Sequence, residues 1–169
     1  MPAAPPGDMI RRAMAATKLT DVLSPGDVEI GFSCRDVADA VERLLGPRLS
    51  REGWDPPAVA AAVDAVKRRE ENASTLMGAL ALPHGRLAGL SRIVGALGVN
   101  PGGVFPEGED GPRLVLVFAS PEKATSDHLR FLASVARTLR SQELVDEALD
   151  ASSPEALLAT IRRREKDAG

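Results

Sequence analysis

Several residue types are scarce in this chain of 169 residues, and each scarcity narrows the range of functions. The single cysteine, Cys34, cannot form an internal disulfide bond, which is typical of a reducing compartment. No N-terminal segment has the basic-then-apolar pattern of a secretory signal, and no apolar run approaches the roughly 18 residues that a membrane span needs. The sequence therefore predicts a cytoplasmic protein without membrane insertion.

Histidine is also rare, because only His84 and His128 occur. A zinc site takes three or four ligands, and two histidines with one cysteine, none at paired spacing, do not supply such a set. We therefore expect neither a metal nor an organic cofactor. The net charge of −3 arises from 21 basic and 24 acidic residues, a balance that does not indicate nucleic acid or an anionic membrane as partner.

Composition and periodicity predict one domain that follows a short tail. Residues 1–8, "MPAAPPGD", are too rich in proline and small residues to order themselves, so the domain is assigned to residues 9–169. A strand is expected from Val28 to Phe32. Two helices are expected next, in "CRDVADAVERLLGPRL" with Ser33 as N-cap and in "WDPPAVAAAVDAVKRREE" with Asp55 as N-cap.

The rest of the chain contains three apolar runs, "STLMGALAL", "RIVGALGVN" and "LVLVFAS", followed by three helical patterns. Each run is apolar on both faces, as expected for a strand that is covered on both sides. A further short strand is expected at Val104 and Phe105. The last helix should begin at Pro154 after the N-cap Ser153. Strands grouped between helices predict an α/β sandwich.

The stretch "ALALPHGRL" places His84 directly after Pro83. Proline lacks an N–H and favours extended geometry in the preceding Leu82, so the strand should end there and present His84 at a rigid corner. Gly85 would let a partner backbone or a phosphoryl group approach closely. A neutral imidazole is a competent nucleophile near pH 7, which makes His84 a candidate covalent carrier. The alternative is a structural or merely exposed histidine.

His128 should lie just inside the first of the three C-terminal helices, whose expected N-cap is Ser126 or Asp127. A positive charge is unfavourable at a helix N-terminus, so His128 should stay neutral and donate an N–H, while the terminus attracts an anion. A surface histidine without a role is the alternative interpretation. The predicted buried stripe of this helix consists of Leu129, Leu132, Val135 or Ala136, and Leu139.

An ordered series of motifs extends along most of the chain, from about Leu19 to about Arg164. The series consists of "RRE" (Arg68 to Glu70), "ST" (Ser74, Thr75), Gly78, "ALPHGR", "DGPRLVLVFASPE" and "HLRFLASVARTL". It resembles the enzyme IIA domain of the fructose, mannitol and nitrogen-regulatory type from the bacterial phosphotransferase system. The resemblance implies a small mixed β-sheet flanked by helices in a single-domain sandwich.

The resemblance also implies a phosphotransferase component that works without a cofactor. His84 would accept a phosphoryl group from a histidine-containing phosphocarrier protein. His128 and Arg69 would stabilise that group, with Ser74 and Thr75 as further binding residues beside Gly85. The segment from Ser74 to His84 is one residue shorter than the family pattern, which leaves the register of Arg69, Ser74 and Thr75 open by one position.

Two destinations are expected for the phosphoryl group on His84. A transport-type protein passes it to a IIB domain and so to an incoming sugar, whereas a nitrogen-type protein uses its phosphorylation state as a regulatory signal to protein targets. The chain carries no fused transporter or carrier domain, which favours the regulatory type. A catalytically silent interaction module with the same fold is the alternative function.

Overall fold

Residues 18–72, 76–106 and 111–168 are described by a computed structural model. The predicted tail, residues 1–8, and the predicted start of the domain at residue 9 lie outside this range. The helices in the described part are α1 (Leu19–Val22), α2 (Val37–Arg51), α3 (Pro56–Asn72), α4 (Thr125–Leu139), α5 (Gln142–Leu149) and α6 (Pro154–Ala168). The strands there are β1 (Val28–Ile30), β2 (Leu76–Met77), β3 (Leu80–Ala81), β4 (His84–Leu87), β5 (Val94–Val99) and β6 (Leu114–Pro121).

The strands form one mixed sheet in the order β1-β5-β6-β3-β2, and β4 also pairs with β6. Strand β6 is central, because it runs antiparallel to β5 and parallel to both β3 and β4. At the two edges, β1 pairs parallel with β5, and β2 pairs antiparallel with β3. The predicted α/β class, with a small mixed sheet flanked by helices, is therefore confirmed.

Side chains of β6 alternate between two apolar cores, because successive residues of a strand point to opposite faces. Leu114, Leu116 and Phe118 belong to the core that includes residues of α1, α4, α5 and α6. Val115, Val117 and Ala119 belong to the core that includes residues of α2 and α3. Helices thus cover both faces of the sheet, which explains why the strand sequences are apolar throughout. This arrangement places α4 and α3 on opposite faces of β6.

Two of the predicted helix caps are confirmed by hydrogen bonds. Asp55 Oδ1 accepts from the backbone N of Ala58 at 2.9 Å, and Ser153 Oγ accepts from the backbone N of Ala156 at 3.1 Å. The predicted cap Ser33 is wrong, because α2 begins only at Val37. Its N-cap is Asp36, whose side chain accepts from the backbone N of Asp39 at 2.8 Å.

The run "STLMGALAL" does not form the single strand that its composition predicts. Gly78 has a φ of +59°, a left-handed conformation that suits glycine, and it turns the chain between β2 and β3. Leu82 and Pro83 then interrupt the pairing with β6, and His84 begins a new strand. The predicted strand end before Pro83 is therefore confirmed, but the prediction that His84 lies at a corner outside a strand is wrong. His84 is paired with Phe118 of β6.

The predicted strand at Val104 and Phe105 is also wrong. These residues lie in an irregular loop between β5 and β6, outside the strands of the described chain. The backbone N of Val104 donates to the carbonyl of Pro112 at 2.9 Å, and its own carbonyl accepts from the backbone N of Cys34. Val104 is fully buried, so its apolar side chain contributes to the core without belonging to a strand.

Candidate functional site

The two histidines of the chain lie side by side on one face of the sheet. Their ring centroids are 5.4 Å apart, with an angle of 41° between the ring planes. His84 begins β4, and His128 lies near the start of α4. His84 is 3% exposed and His128 is 8% exposed, so both imidazoles are largely shielded from water. The fold therefore brings two distant parts of the sequence into one site.

His84 is held by its backbone neighbour and by the central strand. Its Nδ1 lies 2.7 Å from the carbonyl oxygen of Leu82. A carbonyl oxygen can only accept, so Nδ1 carries the proton and Nε2 carries a lone pair. The ring of Phe118 stacks on the imidazole, with a centroid distance of 5.0 Å and an interplanar angle of 4°. His84 thus presents a fixed ring whose free nitrogen is a nucleophile.

The surroundings of His84 favour its neutral form. Burial lowers the pKa of the imidazole below its usual value, and the positive charge of Arg69 lowers it further. The hydrogen bond to Leu82 acts in the opposite direction but does not reverse the shift. The Nε2 lone pair is therefore available at neutral pH, where a protonated imidazole would be unreactive.

His128 lies in the first turns of α4, which begins earlier than predicted. The helix starts at Thr125 with Ala124 as N-cap and without a side-chain cap, so the predicted caps Ser126 and Asp127 are wrong. The backbone N of His128 donates to the carbonyl of Ala124 at 3.0 Å. The imidazole packs inward, where its Nδ1 lies 2.7 Å from Ser120 Oγ.

The pKa of His128 is lowered to about 4. Burial is the largest cause, and the charges of His84, Arg86 and Arg69 add to it. His128 is therefore neutral at physiological pH, as the sequence predicts. A neutral imidazole carries one N–H, which can donate a hydrogen bond to an anion beside it.

The buried stripe of α4 agrees with the prediction at Val135 and Leu139, but Phe131 is buried in addition and Leu132 is only partly buried. Leu129 is 59% exposed, whereas His128, Phe131, Val135 and Leu139 are buried. The inward face thus begins with the histidine. Leu129, predicted to be buried, instead lies exposed next to the site.

Two arginines place positive charge near the imidazoles. Arg69 lies in the last turn of α3, and of the adjacent pair Arg68 and Arg69 it is the one whose charge lowers the pKa of both histidines. Arg86 lies two residues after His84 on β4, hence on the same face of the sheet. Its Nη1 donates to Thr125 Oγ1 at 2.8 Å, which joins β4 to the start of α4.

The remaining predicted site residues are Gly85, Ser74 and Thr75. Gly85 follows His84 and faces the opposite side of the sheet, where an added β-carbon would lie 3.2 Å from Val66 Cγ2 of α3. Its lack of a side chain makes room for α3, rather than for a group beside His84. Ser74 and Thr75 lie outside the described residues.

Sequence reasoning missed three residues of the site, namely Arg86, Phe118 and Ser120. A signal for Arg86 is the two-residue period of a strand, which places it on the same face as His84. The same period places Phe118 and Ser120 together on β6. Their position beside the histidines depends on the pairing of β4 with β6, which opposes His84 to Phe118 and Arg86 to Ser120.

The described part of the chain contains no candidate metal site and no candidate membrane span. Within it, no group of three or more histidine, cysteine, aspartate or glutamate side chains could hold a metal ion. No helix there is both long and apolar enough to cross a membrane. The chemistry that the described site offers is an imidazole lone pair beside a second neutral imidazole and two guanidinium groups.

The sequence and fold match known proteins over most of the chain. A model of the family described as "Phosphoenolpyruvate-dependent sugar phosphotransferase system, EIIA 2" matches residues 21–164. A nitrogen regulatory protein of Bradyrhizobium diazoefficiens is 27% identical over 146 residues, which cover 85% of this chain and 94% of that protein.

Solved structures have the same fold. The crystal structure of nitrogen regulatory protein IIA-Ntr from Neisseria meningitidis superposes with a TM-score of 0.72 at 25% identity, covering 85% of this chain and 98% of that one. The Escherichia coli mannitol IIA in a complex with phosphorylated mannitol IIB superposes with a TM-score of 0.64 at 22% identity, covering 83% of this chain and 97% of that one. The family match extends from α1 into α6, and the chain belongs to the EIIA type-2 family of the phosphoenolpyruvate-dependent sugar phosphotransferase system.

Proposed function

We propose that this protein is a phosphohistidine carrier of the cytoplasm, with residues 9–169 as one EIIA domain and His84 as the phosphoryl acceptor. The donor is a histidine-containing phosphocarrier protein. The observation that carries the proposal is the neutral, buried His84, whose Nδ1–H is held by Leu82 and whose Nε2 is left free beside His128. Family membership supports the same chemistry.

The transfer uses one lone pair and no proton. The Nε2 lone pair of His84 attacks phosphorus, the N–P bond of the donor phosphohistidine breaks, and the donor imidazole leaves with that electron pair. The ring of His84 gains positive character as the new N–P bond forms. Its Nδ1–H···O bond to Leu82 therefore becomes stronger, because hydrogen bonds from charged donors are stronger than neutral ones.

The surrounding residues stabilise the charge of the transferred group. Phosphoryl transfer depends mainly on positioning and on charge stabilisation. His128 donates an N–H, while Arg69 and Arg86 supply positive charge; after burial, the charge of Arg69 lowers the pKa of both histidines and that of Arg86 lowers the pKa of His128. We assign stabilising roles to His128 and Arg69, as the family resemblance implies, and we keep Ser74 and Thr75 as candidate binding residues.

The acceptor is either a IIB domain or a regulatory protein. The mannitol IIA that has this fold is known in a complex with phosphorylated IIB, which supports the first route. Nitrogen regulatory proteins among the relatives support the second. On the first route the phosphoryl group leaves His84 by the reverse of the step that loaded it, whereas on the second it stays on His84 as a signal.

The proposal is tested with the general phosphotransferase components and labelled phosphoenolpyruvate. Wild type should take up acid-labile phosphate, and His84→Ala should take up none while keeping the circular dichroism spectrum of the wild type. His128→Ala should still be labelled, but about ten- to a hundredfold more slowly, as expected for a lost hydrogen bond to a charged group of about 1.5–3 kcal/mol. Equal labelling of wild type and His84→Ala would refute the assignment.

A chase experiment separates the two routes and the silent alternative. Labelled protein is mixed with a purified IIB domain, and loss of label from His84 measures transfer. Rapid loss supports the transport route, whereas retained label with phosphorylation-dependent binding to a protein target supports the regulatory route. A folded wild type that takes up no label would instead be an interaction module.

A further inference from the structure

We propose that Ser120 is a positioning residue that fixes His128 in the Nε2-protonated tautomer. Ser120 is fully buried in β6, and its Oγ lies 2.7 Å from His128 Nδ1. It lies within the motif "DGPRLVLVFASPE", but the family resemblance assigned it no role. Its role in phosphoryl transfer rests on the function proposed above, but its effect on the tautomer does not.

The direction of this hydrogen bond follows from the burial of the hydroxyl group. A serine hydroxyl carries one hydrogen, and a buried hydrogen without an acceptor is unfavourable. Among the described residues, the partner found for Ser120 Oγ is His128 Nδ1. The hydroxyl therefore donates, Nδ1 accepts, and the single proton of the neutral ring is on Nε2.

The two histidines consequently have opposite tautomers. His84 is protonated at Nδ1, because the partner of this nitrogen is the carbonyl oxygen of Leu82, which can only accept. His128 is protonated at Nε2, because Ser120 supplies a donor to its Nδ1. One ring thus offers a lone pair and the other offers an N–H, which is the combination that a transferred phosphoryl group requires.

Strand β6 carries the side chains that hold both imidazole rings in place. Phe118 stacks on His84, and Ser120, two residues later on the same face of β6, bonds to His128. Ser120 is paired with Arg86 of β4, and the preceding Ala119 is paired with both β4 and β5, so Ser120 is carried by a fixed backbone. The tautomer of His128 is thus set before any phosphoryl group arrives, and no rearrangement of the ring is needed during transfer.

Nuclear magnetic resonance tests the tautomers directly. Two-bond ¹H–¹⁵N correlation spectra of untagged, ¹⁵N-labelled protein at pH 7 show signals from only two imidazoles. The spectrum of His84→Ala identifies which signals belong to His128. The His128 spectrum should have the pattern of a ring protonated at Nε2, and Ser120→Ala should convert it to a mixture of tautomers. Ser134→Ala removes a hydroxyl from another buried serine, on α4, and should leave the His128 pattern unchanged.

Two results would overturn the inference. The first is a wild-type His128 protonated at Nδ1, which can be read without any variant and so does not depend on whether Ser120→Ala folds. The second is a pattern that stays the same in folded Ser120→Ala. Ser120→Cys provides a weaker donor of similar size and should give an intermediate spectrum.

Transfer rates show whether Ser120 acts through His128. Ser120→Ala should slow labelling of His84 about two- to tenfold, the effect expected of one neutral hydrogen bond. In a His128→Ala background the same substitution should have no further effect. An equal slowing in both backgrounds would overturn the positioning role. If neither the wild type nor any variant is labelled, the function proposed above fails. The spectra still decide the tautomer of His128 in that case.

Discussion

The ring of Phe118 lies flat against the imidazole of His84, with 5.0 Å between the centroids and 4° between the planes. Phe118 also lies 5.5 Å from the His128 ring, and it meets Phe131 edge to face at 4.7 Å. This contact follows from strand pairing, which places Phe118 opposite His84. One aromatic side chain therefore supports both histidines and joins them to the core.

Replacing Phe118 by leucine should affect both stability and transfer. The substitution keeps an apolar side chain but removes the flat surface behind His84, so the ring gains freedom. We expect the free energy of unfolding to fall by about 1–3 kcal/mol, from lost packing and lost stacking. Labelling of His84 should slow as well. Urea unfolding and labelling time courses measure the two effects.

Phe131→Leu provides the matched control for this prediction. Phe131 is also fully buried and contacts the edge of Phe118. Its replacement should lower stability by a similar amount, while the labelling rate of the folded protein stays close to that of the wild type. Equal slowing in the two variants would mean that general core packing, and not the surface behind His84, controls transfer.

Arg69 and Arg68 should differ in their effect on the histidines. The charge of Arg69 lowers the pKa of His84 and of His128, so Arg69→Gln should raise both. Arg68→Gln, next to it on α3, should leave both pKa values near those of the wild type. Titrations followed by ¹H–¹³C spectra of the two imidazoles measure the shifts. The reverse pattern would mean that Arg68, and not Arg69, is the arginine at the site.

The rate of phosphoryl transfer to His84 should likewise depend on Arg69 and not on Arg68. Arg69→Gln should slow labelling of His84 about ten- to a hundredfold, if its guanidinium forms its interaction mainly in the transition state. Arg68→Gln should label at nearly the wild-type rate. Unchanged rates in both variants would leave stabilisation of the phosphoryl group to His128, Arg86 and backbone groups.

The lowered pKa of His128 should make stability depend on pH. The imidazole has an ordinary pKa of 6.5 in the unfolded chain and a pKa of about 4 in the folded protein. Its contribution to the free energy of unfolding is fully present above pH 6.5. Between pH 6.5 and about 4 the contribution is lost, because the unfolded chain binds a proton that the folded chain does not. His84, Arg86 and Arg69 are the charged or titratable groups that depress this pKa.

His128→Gln should therefore lose less stability on acidification than the wild type. From pH 7 to pH 5, the decrease in the free energy of unfolding should be smaller by about 2 kcal/mol. Urea titrations of both proteins at the two pH values measure it, and the comparison concerns the change with pH rather than the stability at one pH. Equal decreases would contradict the lowered pKa.

A second set of charges, away from the histidines, should matter for stability. Asp27 Oδ1 forms an ion pair with Arg48, 3.2 Å from its Nε, and accepts a hydrogen bond from Arg51 Nη2 at 2.7 Å; Asp27 and Arg48 are both buried. Asp27→Ala removes one partner of the buried guanidinium, which keeps Glu52 at 2.8 Å. We expect unfolding to become easier by about 3 kcal/mol.

The control for this prediction is Arg35, which forms an exposed pair with Asp39 at 3.3 Å. Such pairs contribute little, so Arg35→Ala should not measurably change the urea midpoint. The labelling rate of His84 should stay unchanged in both variants, because neither residue touches the site. A loss of stability in Arg35→Ala as large as in Asp27→Ala would contradict the distinction between buried and exposed pairs.

Local patterns predicted much of this fold. Asp55 with Pro56 and Ser153 with Pro154 identify helix starts, because capping is decided within one turn of chain. Apolar runs without alternation identify strands covered on both faces. The break before His84 was only partly predicted, since Pro83 indicates an interruption but not that pairing with β6 resumes one residue later.

Residues that depend on long-range pairing were not predictable in the same way. Nothing in "LVLVFAS" indicates that Phe118 and Ser120 lie beside the histidines, because the pairing of β4 with β6 joins distant segments. Helical spacing of apolar residues predicts a buried stripe on α4 that includes Leu129. The structure buries His128 instead, where Ser120 compensates its polar Nδ1.

The site is divided between segments of very different sequence separation. Ser120 and His128 are eight residues apart, in the strand and helix of one continuous unit, so their contact closes only a short loop. His84 joins them only through parallel pairing with β6, a non-local contact of the kind that slows folding. The reactivity of His84 thus depends on a non-local pairing, whereas the contact that sets the tautomer of His128 is local.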